Sequence, residues 1–261
     1  MVLHRTPARS ASVGDGVTGA GDAGHVARGD GEAVTLARAD TPHGEVALRR
    51  RGEVLELVVD GVFAMDTVDT STEVALAVRA LRRHRAPQRV LVGGLGLAVT
   101  TRAVLADPRV RQVDVVELAV PLVEWARSGL VAELAGLEGE RCALHVADVL
   151  DVLDGASGPP GPWDVVLLDV DNGPDFLVHA SNAPLYERPG LDAARSALRS
   201  GGLLVVWSSH VAPALLAALH DVARDGDEVS EDVFAVEREG RVLRYAQYSL
   251  ARPTDAARMA P

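Results

Sequence analysis

Arg89-Val90-Leu91-Val92-Gly93-Gly94-Leu95-Gly96-Leu97-Ala98 is the stretch that decides the fold. Val90, Leu91 and Val92 form an apolar run without alternation, the mark of a central strand covered on both faces. Gly93, Gly94 and Gly96 follow at once, so the backbone can turn sharply and a ligand can lie against it. A helix is expected from about Leu97 to Ala106, stopping before Asp107-Pro108, with its first N–H groups aimed at that ligand. Strand, glycine turn and helix at the start of an α/β unit form a nucleotide-binding arrangement.

Outward from this stretch the elements alternate. Strands are expected near 89–93, 113–117, 142–146, 164–169 and 203–207, and helices near 97–106, 120–135, 190–199 and 211–223. That order predicts a doubly wound parallel sheet. Two late strands, Val233–Arg238 and Val242–Leu250, flank a hairpin turn at Arg238-Glu239-Gly240-Arg241. Five parallel strands closed by an antiparallel pair resemble the seven-stranded sheet of class I S-adenosylmethionine-dependent methyltransferases. Ahead of it, Thr70 to about His84 reads as an amphipathic helix. Residues 32–68 alternate at period two between turn residues and read as a small antiparallel β domain. Residues 69–253 are then the α/β domain, and residues 1–31 and 254–261 are expected to be flexible tails.

Composition narrows the chemistry. The chain has 261 residues, 48% of them apolar, which is enough for one α/β domain and an appendage. Net charge is −11 with no basic stripe, which argues against nucleic acid as a partner. The sequence contains no lysine, which removes Schiff-base chemistry and the P-loop lysine. Its one cysteine, Cys142, lies in a strand pattern, so no internal disulfide and no cysteine metal cluster is expected. The apolar runs are too short for a membrane span, and no secretory signal is evident. A cytoplasmic protein is expected.

In open α/β sheets a ligand sits beyond the carboxyl ends of the strands. Gly93, Gly94 and Gly96 end the first strand. Glu117, with Leu118 beside it, ends the second about twenty residues later, where an acid accepts hydrogen bonds from ribose hydroxyls. Asp148, with Val149 beside it, ends the third, placed for an adenine amino group or as a helix N-cap. Asp169 ends the fourth, followed by Asp171 and Asn172. Asp169 is expected to be functional, and two close carboxylates would raise one pKa toward that of a useful base. Asp171-Asn172-Gly173 also reads as a plain turn, and a divalent ion on Asp169, Asp171 and Asn172 is a further alternative. His210 ends the fifth strand as a second candidate base, or as a surface residue. Tyr186 is a candidate for the acceptor pocket, with core packing as its alternative. Glu117, Asp148 and Asp169 are expected around one common rim.

These strand ends resemble the spermidine synthase family, on the methyltransferase fold, from about Thr41 to Pro253. The family's Leu-Asp-Gly turn is similar to Val59-Asp60-Gly61, and its Val-Glu-Leu-Asp-Pro motif to Val116-Glu117-Leu118-Ala119-Val120-Pro121. Its Gly-Asp-Ala motif resembles Ala147-Asp148-Val149, and its Tyr-Asp-Val-Ile-x-x-Asp motif resembles Trp163-Asp164-Val165-Val166-Leu167-Leu168-Asp169. Its Pro-Gly-Gly appears as Ser200-Gly201-Gly202. The resemblance implies Asp169 as the catalytic residue and an adenosyl sulfonium ligand, S-adenosylmethionine or its decarboxylated form.

Departures bear on the substrate. The family's glycine motif carries an Asp that receives the donor's amine, and here the matching position is Leu97. The family's Gln and Ser after the turn fall near Ala64 and Asp66. Its Asp-Glu-x-x-Tyr-His-Glu run falls on Asp69-Thr70-Ser71-Thr72-Glu73-Val74-Ala75, where Asp69 alone clearly matches, as a substrate-binding candidate. The expectation is a divergent transferase moving a methyl or aminopropyl group to a small amine or hydroxyl acceptor. The alternatives are a non-catalytic binding protein on the same fold and a dinucleotide oxidoreductase. Against the latter, the third glycine of the fingerprint falls at Val99. The small sheet is a candidate homodimer contact.

Overall fold

A computed structural model of the chain describes residues 32–238 and 241–255. The expected N-terminal tail lies outside the described residues, as do the last six positions of the C-terminal one.

Four strands come first: β1 (Val34–Thr41), β2 (Gly44–Arg51), β3 (Val54–Val59) and β4 (Val62–Asp66). They pair antiparallel in sequence order. The β3–β4 turn places Asp60 at φ 49° and Gly61 at φ 74°. Both central residues are left-handed, as a two-residue type I′ hairpin requires.

The α/β part follows as α1 (Ser71–Arg83), β5 (Arg89–Gly93), α2 (Val99–Leu105), β6 (Gln112–Glu117), α3 (Val120–Ser128), β7 (Cys142–Val146), α4 (Val149–Leu153) and β8 (Trp163–Leu168). A 3-10 helix (Ala180–Tyr186), α5 (Arg188–Ser196), β9 (Leu198–Ser208), α6 (Pro213–Val222), β10 (Glu228–Arg238) and β11 (Arg241–Ala251) complete it. Its seven strands lie in the order β10-β11-β9-β8-β5-β6-β7. Neighbours from β9 to β7 run parallel, and β11 and β10 close the sheet antiparallel. Among the described residues no helix is long and apolar enough to cross a membrane.

Alternation along each central strand builds two cores. Val90 and Val92, with Val113, Val115, Val165 and Leu167, pack on α1 and α3. Leu91, with Val116, Val166 and Leu168, packs on α4, α5 and α6. This two-sided burial is why the β5 run is apolar at every position. Val46, Leu48, Leu55 and Leu57 of the small sheet join the first core, so the small sheet shares that core with the α/β part.

Three helices differ most from those expected, among them the one expected at 190–199, which is Arg188–Ser196 because β9 already begins at Leu198. The helix after β5 starts at Val99 because Gly96 and Ala98 are left-handed, at φ 49° and 64°. The helix after β6 stops at Ser128, where Gly129 at φ 65° closes it.

Chain order sets the crevice. After β5 the chain builds β6 and β7 on one side, then crosses to β8 on the other. The carboxyl end of β5 is therefore the switch point where such sheets hold ligands. Gly93 pairs with Val116 of β6 and with Leu168 of β8. The next residues, Gly94, Glu117 and Asp169, thus stand side by side at the rim.

Candidate active site

Backbone contacts lock this rim together. The Gly94 N–H donates to the Val116 carbonyl at 2.8 Å, and the Asp169 N–H to the Gly93 carbonyl at 2.9 Å. Gly94 has φ 91°, and a Cβ there would lie 3.0 Å from the carbonyl carbon of Asp169 and closer still to its oxygen. Only glycine lets the loop pass this close to the end of β8.

Glu117 is held by the loops on either side of it. Its Oε2 accepts the Leu95 N–H at 2.9 Å and its Oε1 the Ala119 N–H at 2.8 Å. Burial pushes its carboxyl above the usual range, and these N–H groups oppose the rise. Asp148 caps α4, its Oδ1 accepting the Leu150 N–H at 2.8 Å. Gly94, Glu117, Leu118, Asp148 and Val149 line one cleft of about 660 Å³, roofed by Val46, Leu57 and Val59 of the small sheet. Largely apolar walls with a few convergent acids suit an adenosyl group in chemical character. Gly93 and Gly96 do not line it. A Cβ on Gly93 would lie 3.0 Å from Val149, and one on Gly96 2.8 Å from the Met65 sulfur.

Asp169 opens onto an adjoining chamber of about 400 Å³ that shares Ala64 and Val170 with the cleft. The expected single rim is therefore corrected to two neighbouring compartments, because β4 lays Ala64 and Met65 beside the glycine loop. The Thr100 hydroxyl donates to Asp169 Oδ2 at 2.6 Å. Thr100 is 4% exposed and sits in the first turn of α2. Burial raises the Asp169 pKa from 3.8 to about 7, with the charge of Glu73 adding to the rise and Thr100 opposing it.

Asp171 does not serve as the expected partner of Asp169. It is 5% exposed and accepts from the Val178 N–H at 2.6 Å, Asn182 Nδ2 at 2.9 Å and the Tyr186 hydroxyl at 2.9 Å. Its side chain pins the connection after β8, although it also contributes to the chamber wall. Burial raises its pKa, and those three donors oppose the rise. Tyr186 is 6% exposed and packs in the second core, away from the chamber lining. Burial and Asp171 push its phenol well above the usual value. Asn172 lines the Asp169 chamber and the next one outward, about 590 Å³, where Asp69 also lies. Asp69 Oδ1 accepts the Ser71 N–H at 3.0 Å as α1 begins. His210 pairs with Asp175 at 2.9 Å and stacks edge-on against Phe176. Among the described residues no group of three or more His, Cys, Asp or Glu side chains is disposed to hold a metal.

Four residues here are not candidates in the sequence: Glu73, Met65 and Trp207, which line these chambers, and Thr100, which bonds Asp169. Glu73 reads as a first-turn helix acid, Thr100 as an ordinary helix residue and Met65 as an edge-strand apolar residue. Trp207 was only the end of a strand. No spacing rule links them.

The family model for the spermine/spermidine synthase domain matches residues 71–236. The chain belongs to the spermine/spermidine synthase family. It is 34% identical over 165 residues to a polyamine aminopropyltransferase of Mycobacterium tuberculosis, covering 62% of this chain and 30% of that one. It is 33% identical over 152 residues to polyamine aminopropyltransferase 2 of Pseudomonas aeruginosa, covering 58% and 42%. The matched stretch thus spans less than half the length of either relative. In fold, it is similar to a spermidine synthase crystallised with the transition state analogue AdoDATO, at TM-score 0.68, 16% identity and 86% and 76% coverage. The spermidine synthase of Thermotoga maritima gives TM-score 0.65 at 15% identity, with 85% and 74% coverage. The oxidoreductase alternative falls with the family assignment and with the antiparallel β10–β11 pair.

Proposed function

We propose that this chain moves the aminopropyl group of decarboxylated S-adenosylmethionine to a small amine. The observation that carries this reading is the paired compartments at the switch point. A cleft whose chemistry suits an adenosyl group meets a chamber lined by Glu73, Asp169 and Asp171, with Ala64 and Val170 common to both. The relatives named above favour aminopropyl over methyl transfer, and the solved neighbour's bound analogue supports the decarboxylated donor.

Glu117, already oriented by two backbone N–H groups, takes the ribose hydroxyls on its remaining lone pairs. Asp148 takes the adenine amino group, with Leu118 and Val149 against the ring. Gly94 lets the donor lie close to the backbone. A neutral amine attacks the CH₂ next to the sulfonium. The new N–C bond forms as the C–S bond breaks, and that electron pair returns to sulfur to leave a neutral thioether. The proton shed by nitrogen goes to Asp169. Thr100 occupies Oδ2 and leaves Oδ1 for that proton. Positioning carries most of the rate, and the base contributes roughly 10²–10⁴-fold.

Calorimetric titration with the decarboxylated donor and with S-adenosylmethionine tests the reading, with turnover followed by mass spectrometry of the thioether released. The expected result is tighter binding of the decarboxylated donor and loss of turnover in Asp169→Asn. Binding of neither donor overturns it. Light scattering tests whether the small sheet also pairs two copies of the chain.

A further inference from the structure

Backbone contacts fix where the Asp169 carboxyl stands but not which way it points. Its N–H bonds to the Gly93 carbonyl at 2.9 Å, and Gly94 packs on its own carbonyl. Thr100 supplies the direction, donating to Oδ2 at 2.6 Å from 69 residues away in the chain. That distance lies in the range of a charge-assisted O–H···O⁻ bond. A helical threonine ordinarily turns its hydroxyl back to a carbonyl of the preceding turn. Thr100, in the first turn of α2, reaches across to the end of β8 instead. The backbone just before it is strained. Ala98, the N-cap of α2, is fully buried and held at φ 64°, a conformation that alanine disfavours. Strain kept beside a reacting group points to a use for the geometry it imposes. Here it sends Leu97 into the first core and starts α2 at Val99, which sets Thr100 against Asp169. Thr101 is the contrast. It is 1% exposed, and among the described residues its Oγ1 has no hydrogen-bond partner.

We propose that Thr100 is the positioning residue of the transfer, its hydroxyl holding the Asp169 carboxylate so that Oδ1 is presented to the incoming nucleophile. The proposal rests on the transferase reading above. The same bond has a second effect. Burial and the charge of Glu73 both push Asp169 toward its protonated form, which cannot accept a proton, and the Thr100 hydroxyl opposes them. Thr100 lines neither the donor cleft nor the Asp169 chamber, so it acts through Asp169.

The test compares the full chain with three variants. Thr100→Val keeps the shape and loses the hydroxyl, Thr101→Val does the same one residue along, and Thr100→Ser keeps the hydroxyl. Melting curves taken across pH read Asp169 with no substrate present. In wild type the fall in stability with rising pH ends at about 7. In Thr100→Val it should continue to higher pH, while Thr101→Val and Thr100→Ser follow wild type. In turnover, Thr100→Val should lower kcat at neutral pH by ~10–100-fold with the acceptor KM within about 3-fold, and part of that loss should return at about pH 9. Thr100→Ser should stay within about 5-fold of wild type. Should Thr100→Val fail to fold, Thr100→Ala takes its place with the same expectations. An unshifted pH slope with unchanged kcat in Thr100→Val overturns the proposal. So does an equal loss in Thr101→Val, or a Thr100→Ser no better than Thr100→Val. Donor titration of the same samples reports on the transferase reading separately. A chain that binds donor but shows no Thr100 effect retains that reading and loses this proposal.

Discussion

Gly94→Ala probes the joint between the glycine loop and the end of β8. Two costs are visible. At φ 91° an alanine is held in a left-handed conformation, worth roughly 1–2 kcal/mol. Its Cβ would also sit 3.0 Å from the Asp169 carbonyl carbon and 3.3 Å from Val170 Cα, with the carbonyl oxygen nearer still. Backbone cannot rotate away as a side-chain tip can, so strands must part, at roughly 1–3 kcal/mol. The total is about 2–5 kcal/mol, a large share of the ~5–15 kcal/mol that holds a domain folded. Gly155→Ala separates the two costs, since Gly155 has φ 74° and nothing within 4 Å of a built Cβ. Urea unfolding of both variants should show Gly94→Ala the less stable by ~1–3 kcal/mol. Displacing Asp169 by about 1 Å should also lower turnover by ~10²-fold in whatever fraction folds. Equal destabilisation of the two variants, with turnover intact, would refute the idea that the loop leans on Asp169.

Other consequences are as direct. Asp169 must be ionised to accept a proton, so turnover should rise with pH through about 7 and then level off, while Asp169→Asn is low and flat. The folded carboxyl holds its proton where the unfolded one has lost it. Stability should therefore fall as pH climbs from the ordinary 3.8 to about 7, and Asp169→Asn should abolish that slope in melting curves. Glu117→Gln supplies one acceptor oxygen for two backbone N–H groups, so it should cost ~1–3 kcal/mol in urea and weaken donor binding at least tenfold by calorimetry. Tyr186→Phe removes one of the donors to Asp171 and should cost about 1–2 kcal/mol while leaving the acceptor KM unchanged; a raised KM would return Tyr186 to the acceptor pocket. Leu97→Asp, which puts back the family's acid, places a charge at a position 2% exposed and should destabilise by at least ~3 kcal/mol without tightening the donor.

The parts legible in the sequence were those governed by local periodicity and turn chemistry. Val90, Leu91 and Val92 announced a strand buried on both faces, and they divide between the two cores as that pattern demands. Asp60-Gly61 announced a hairpin, and both residues take left-handed φ values. What was illegible depends on elements meeting at a distance. Asp171 and Asp169, two apart, suggested a pair. Yet the donors to Asp171 come from Asn182 and Tyr186, 11 and 15 residues on, on a 3-10 helix with no sequence signal of its own. Asp169 instead feels Glu73, which lies on a helix preceding β5. The single rim became two compartments because the small sheet folds over the cleft, and nothing in its alternation says which face it covers.

Leu97 shows why the departures in the motif do not by themselves abolish a site. At 2% exposure it belongs to the first core, not to the cleft wall. The loop accommodates it by lifting Gly96 and Ala98 into left-handed conformations, which turns Leu97 inward. Its N–H then finds the Met65 sulfur at 3.2 Å, a weak acceptor supplied by β4. The position that carries an acid in the family is thus spent on packing here. Glu73 of α1 lines the same chamber as Asp169. Ala64 and Met65 of β4 line it too, so substitutions in those two elements, more than in the glycine loop, should shift the acceptor KM.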